Sequence, residues 1–115
     1  MIIRTKEFPI FYPPKYNKKT GVILKRKLYK IITVNVYEDT YGNEWLTEES
    51  RHYIDVESCK AWLEENVDNY AEWMYSRNKG LGNKKPIDLL NHPKTIHKIH
   101  EVIDAIIKKK KNDNR

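Results

Sequence analysis

The sequence predicts an α+β fold: an N-terminal extended arm and a β-hairpin packed on a helix, followed by a small helical module. Three observations predict it. Pro9, Pro13 and Pro14 fall among Phe8, Ile10, Phe11 and Tyr12, which forbids a helix over residues 1–22 and leaves an extended arm. From Leu28 to Tyr37 the chain alternates, with Leu28, Lys30, Ile32, Val34 and Val36 on one face and Tyr29, Ile31, Thr33, Asn35 and Tyr37 on the other. Beyond residue 55 the apolar residues recur at three and four positions instead, which is helical spacing.

The arm reads in two ways, as a strand or loop docked on its own domain or as a partner-binding arm. Asp39-Thr40-Tyr41-Gly42-Asn43 supplies turn residues and Trp45-Leu46-Thr47 begins a return strand, so the 23–54 region holds a hairpin, with Ser50 to Ile54 as a third short strand. A lone hairpin is marginal in water and needs a helix to pack on. Asp55 is the expected N-cap of that helix, with Glu57 in its first turn. Val56, Cys59, Leu63, Val67, Tyr70 and Met74 then form one stripe, with Trp62 and Trp73 beside it. Its acids, Glu57, Glu64, Glu65, Asp68 and Glu72, form either a solvated outer face or a surface that meets a basic partner groove.

Gly80 and Gly82 bracket Leu81 and supply the positive φ that lets a helix stop and reverse. Pro86 is harmless at the first position of a helix, so it starts a short one whose apolar side is Ile87, Leu89 and Leu90. Asn91 and His92 end it, and Pro93 opens the last helix in the same way. There Ile96, Ile99, Ile103, Ile106 and Ile107 form a seam, and Lys94, Lys98, Glu101, Asp104 and Lys108 form the outer face.

The order Tyr70-Ala71-Glu72-Trp73, Asn78, Gly80-Leu81-Gly82, Pro86-Ile87-Asp88-Leu89-Leu90 and an amphipathic helix resembles the toxin-binding module of the Xre/MbcA/ParS type of antitoxin. The resemblance covers residues 70–107, about a third of the chain. Asn83 stands where that family usually has its second glycine, and Lys108 to Lys111 replace its usual glycine end. The family often carries an N-terminal helix-turn-helix, and no such helix pair is legible here. The resemblance implies a protein that binds a toxin enzyme, an NAD-degrading toxin or, by extension, a toxin ribonuclease.

The 115 residues suit one domain spanning 1–115, with the helical part at 55–111. Its single cysteine, Cys59, excludes an intrachain disulfide and is a packing residue by its spacing, which fits a reducing cytoplasm. No apolar run approaches membrane-spanning length and no signal-peptide pattern is present, so a soluble, cytoplasmic protein without a membrane partner is expected. The net charge of +6 is unevenly spread: residues 1–30 hold nine Lys and Arg against one acid, residues 38–72 two against eleven, and residues 73–115 eleven against four. An acidic middle is unusual in a small nucleic-acid binder, which makes nucleic acid the second choice of partner, reached through the basic termini.

Chemistry-bearing sets are sparse. His97 and His100, with Glu101 and Asp104, share a helix face that can hold zinc, but a third ligand from another element would have to be His92 or His52, and surface histidines are the simpler reading. Cys59 has helix-core spacing and Ser58 lies in the expected first turn, so neither reads as an exposed, activated nucleophile. Gly80 to Lys85 lacks the spacing and the hydroxyl of a phosphate loop. Lys108 to Lys111 complement a helix dipole, contact phosphates, or reach toward a partner's active site. The expectation is therefore a non-enzymatic, antitoxin-like inhibitor, without cofactor or metal, that occludes a toxin enzyme; it suits a phage or mobile element acting on a host toxin. Its partner-binding residues would be Trp73, Tyr75, Asn78, Leu81, Ile87, Asp88, Lys98, Glu101, Lys108, Lys109, Lys110 and Lys111.

Overall fold

A computed structural model describes residues 2–15, 19–22 and 24–113, with the backbone alone for Ile2 and for 111–113. Much of the arm is a strand: β1 (Ile2–Phe11) pairs antiparallel with β2 (Leu28–Glu38), so over Ile2–Phe11 the docked reading is the one observed. Pro9 is tolerated because β1 lies at the edge of the sheet, whose order is β1-β2-β3. The return strand β3 (Glu44–Trp45) is only two residues long, and Trp45 stacks on Tyr37 with ring centroids 4.6 Å apart.

The expected alternation holds where it is most apolar, since Ile32, Val34 and Val36 are buried. It fails at the start of β2, where the register shifts between Ile10 and Phe11, leaving Tyr29 as the extra residue of a bulge. Leu28 is therefore exposed, while Tyr29 packs against the cluster of Ile10, Ile32, Val34 and Ala61.

The β2–β3 turn is organised by Asp39. Its Oδ1 accepts from the amides of Tyr41 at 2.8 Å and Asn43 at 2.9 Å, and Gly42 takes φ 82°, which a side chain would strain. These contacts, the Asn43 amide first, hold the Asp39 carboxyl below its ordinary value of 3.8. A depressed carboxyl stabilises the fold fully above its unfolded value and loses that contribution as pH falls through its folded value. Acidification below about pH 3.8 should therefore lower the urea midpoint of the wild-type chain, and Asp39→Asn should flatten that part of the profile. A variant profile that parallels the wild type would exclude Asp39 as the titrating group.

Helix α1 (Glu48–Asn66) departs from expectation at both ends. Ser50 to Ile54 are helical rather than a third strand, and Asp55 is not an N-cap. The capping group is Thr47, whose hydroxyl accepts from the Ser50 amide at 3.1 Å, with Glu48 and Glu49 in the first turn. Glu57 consequently lies in mid-helix and is only 5% exposed, so it does not belong to a solvated face. The helix also stops early: Asn69 takes the left-handed conformation at φ 54°, splitting the expected continuous helix into α1 and α2 (Tyr70–Tyr75). Asparagine is among the few side chains that tolerate this region.

A single 3-10 turn (Lys79–Leu81) follows, then α3 (Pro86–Leu90) and α4 (Ile96–Asp113). Pro86 starts α3 as expected. Pro93 does not start α4: it lies in a turn in which the His92 carbonyl accepts from the amides of Thr95 and Ile96. The contacts divide the chain into two compact units, Met1–Glu65 and Asn66–Arg115. The first contains the sheet and nearly all of α1; the second contains α2, the 3-10 turn, α3 and α4.

Candidate partner-binding surface

In the second unit the turn between α2 and α3 is built on Asn78. Its side chain accepts from the Gly80 amide at 2.8 Å, its carbonyl accepts from Leu81 and Asn83, and its amide donates to the Lys84 carbonyl at 3.1 Å. That last bond makes Asn78 and Lys84 an isolated antiparallel bridge that closes the loop. Arg77 Nη1 also donates to the Asn83 carbonyl, at 3.0 Å. Gly82 at φ 68° and Asn83 at φ 62° carry the reversal; Gly80, expected to share it, does not have positive φ. Gly80 instead receives the Asn78 cap, and a Cβ there would lie 3.2 Å from Asn78 Oδ1.

The loop delivers Leu81 inward, where it is 8% exposed; Met74, Leu89 and Leu90 of the same unit are buried as well. Five residues of α3 cannot hold a helix alone, so it relies on burial of Pro86, Leu89 and Leu90. A side-chain bond adds to this: the Thr95 hydroxyl donates to the Leu89 carbonyl at 2.8 Å. Ile96 and Ile99 are buried at the start of α4, while Ile103, Ile106 and Ile107 are half-buried. The far side of α4 carries exposed Lys98, Glu101, Asp104 and Lys108, as the spacing predicts.

The residues expected to bind a partner separate into two groups. Tyr75 (63% exposed), Asp88, Lys98, Glu101, Lys108 and Lys109 are open to solvent. Leu81 is a core residue, Asn78 is committed to the loop, and Trp73 and Ile87 are half-buried. Lys110, though exposed, donates to Asn66 Oδ1. The side chain of Lys111 lies outside those described. A contact surface on this unit would thus consist of the aromatic residue that ends α2, an acid on α3 and the mixed-charge face of α4.

Two of the residues considered for chemistry are otherwise engaged. Cys59 is buried, and burial first, then the charge of Asp55, pushes its thiol up to about 12, so it is a packing residue and not a thiolate nucleophile. His92 Nδ1 accepts from the Lys94 amide at 3.2 Å within the α3–α4 turn. On α4, His97, Glu101 and Asp104 are exposed and His100 is half-buried.

The acidic side chains of α1 in the first unit meet the chain's own basic and tyrosyl groups. Lys30 lies 2.9 Å from Glu57, Lys15 lies 2.6 Å from Glu65, and the Tyr12 hydroxyl donates to Glu64 at 3.0 Å. Both sequence readings of this acidic face, solvated or turned to a partner, missed that the basic N-terminal third folds back on it. The charge division of residues 1–30 against 38–72 was the available signal.

The fold and surface define an α+β chain with a sheet-and-helix unit and a small helical unit that presents an exposed polar surface. No family model, curated protein or solved structure matches the chain. Among the described residues, no helix is long and apolar enough to cross a membrane.

Proposed function

We propose that this chain is an antitoxin-like, non-enzymatic binding protein whose 66–115 unit inhibits a toxin enzyme by direct occlusion, in the setting of a phage or other mobile element acting on a host toxin. The observation that carries this reading is that the whole run from Tyr70 to Ile107 falls inside one compact unit. The left-handed φ of Asn83 supports it as well, because this is the position at which the resembling family places glycine. The partner is a toxin enzyme that degrades NAD or cleaves RNA, and the exposed Tyr75, Asp88, Lys98 and Glu101 make the contact.

The test begins with a native pull-down of the tagged full chain at moderate salt after nuclease treatment. One enzyme at near-equal stoichiometry is the expected product. Charge reversal of Asp88→Lys with Glu101→Lys should then weaken inhibition of that enzyme at least about tenfold, equivalent to about 1.4 kcal/mol. Far-UV circular dichroism should remain unchanged, because both side chains are exposed. Undiminished inhibition by the double variant would remove this surface from the proposal, and a catch that disappears with nuclease would remove the toxin partner.

A further inference from the structure

We propose that the open edge of β2 is a docking site for an extended, basic peptide segment of another protein, added to the sheet end to end with β3. Every residue of this site lies in the Met1–Glu65 unit, so the inference is independent of the reading of the 66–115 unit. In the sheet order β1-β2-β3, β3 pairs only with Tyr37 and Glu38. Among the described residues, no strand pairs with residues 28–36 on that side.

An antiparallel ladder alternates: one residue sends both its N–H and its C=O to one neighbour, and the next sends both to the other. Two observations set the phase of β2. Pro9 stands opposite Ile31 and has no N–H to give, which fits a non-hydrogen-bonded pair in which the Ile31 groups point away from β1. At the other end the Asp39 amide donates to the Asn43 carbonyl at 3.0 Å, on the β3 side. Both give the same phase: the N–H and C=O groups of Ile31, Thr33 and Asn35 face the open edge. The outer edge of the sheet at β1 is guarded by Arg4, Lys6, Glu7 and Pro9, charges and a missing donor of the kind that block strand addition. Over residues 31–37 β2 has neither a charge nor a proline.

Beside the edge lies a recess of about 270 Å³, with Thr33, Asn35 and Tyr37 on one side and Thr47, Glu49 and Tyr53, from the cap and start of α1, on the other. Main-chain bonds to the edge give affinity, and alternate side chains of the added strand give specificity. Glu49 is the only charged residue among the described residues that line the recess; it is exposed and is in no ion pair among them. Its complement is a lysine or arginine. The Ile31, Thr33 and Asn35 side chains are exposed on the other face of the sheet, where β-branched residues of the added strand pack beside them. The occupant is a short segment and not a second copy of β2. Paired antiparallel about Thr33, a second β2 would bring its own Tyr29 opposite Tyr37, where β3 already sits. A segment of about six residues, roughly 20 Å long, ends before that point.

The test is titration of the isotope-labelled full chain with the blocked hexapeptide Val-Lys-Val-Lys-Val-Lys, followed by two-dimensional NMR at low salt. Saturable shifts are expected at Ile31, Thr33 and Asn35 and over residues 47–53, with smaller ones at the Ile32 and Val34 amides, which face β1. Methylating one alternate set of the peptide's backbone nitrogens should weaken binding at least about tenfold, while methylating the other set should not. Thr33→Pro removes an edge-facing donor and no bond to β1, and should weaken binding as much; Ile31→Lys, a charge on the exposed edge, is the second variant. Glu49→Gln should lower affinity about two- to fivefold, as for one exposed ion pair. Far-UV circular dichroism checks the fold of each variant. Absence of saturable shifts, shifts centred elsewhere, or equal binding of the two methylated peptides would overturn the proposal. Unchanged binding by Ile31→Lys, or equal binding of a peptide with glutamate in place of lysine, would overturn it too. Edge shifts that appear on concentrating the chain without peptide would assign the edge to a second copy and overturn it as well.

Discussion

Replacing Leu90 by alanine is expected to destabilise the 66–115 unit by about 2–5 kcal/mol, the range for leucines truncated in a closed core. Leu90 is 0% exposed, and it belongs to α3, a five-residue helix with no stability of its own. The side chain is therefore part of what makes α3 a helix. The loss is a large share of the roughly 5–15 kcal/mol that stabilises a typical domain. Urea unfolding followed by far-UV circular dichroism should show a lower midpoint, and under the proposed function inhibition of the proposed partner enzyme should fall with the folded fraction. A cost below about 1 kcal/mol would mean that the site closes over the missing atoms and that α3 is held by other contacts. Under the proposed function the contrast with Asp88→Lys and Glu101→Lys is diagnostic: those variants should lose the proposed inhibition without losing stability, and Leu90→Ala should lose both.

Replacing Lys30 by alanine is the second large effect. Glu57 is 5% exposed and takes Lys30 at 2.9 Å and Lys60 at 3.6 Å. A buried carboxylate stripped of its nearer cation is costly, but the Lys30 side chain is 42% exposed, so solvent screens part of the pair. The expected destabilisation is about 1–3 kcal/mol, and the added change Glu57→Gln should recover part of it, because no unpaired charge is then left in the interior. A double-mutant cycle with no coupling between the two positions would refute the pairing. The pH dependence has a defined sign. The contact with Glu57 raises Lys30 above its ordinary value of 10.5, so the stabilisation is complete below about pH 10.5 and disappears as pH rises through the higher folded value.

The same ion pair illustrates what local pattern leaves out. Alternation along β2 placed Lys30 on the inner face, yet nothing local indicates that a lysine there meets Glu57 twenty-seven residues later. The α1 acids were legible as a block, but their partners were not, because pairing across the chain depends on how the strand and helix pack. Among the candidate contact residues, composition and spacing separated exposed Lys98 and Glu101 from the buried isoleucines of α4. They could not separate Leu81 from a surface position, since a leucine between two glycines fits a loop tip as well as a core anchor.

By itself the sequence determined the strand period of β2, the turn at Asp39–Asn43, the proline start of α3 and the two faces of α4. In each case a local rule suffices: side-chain alternation, a carboxylate accepting nearby amides, a missing amide hydrogen, or a helical repeat. Tertiary structure decided where α1 begins and ends, which register the bulge at Tyr29 imposes, and how the chain divides into two units. Those outcomes turn on competition between candidates of similar local merit. Thr47 and Asp55 are both acceptable caps, and Asn69 is an acceptable helix residue or a left-handed stop, so the choice falls to the packing that each alternative permits.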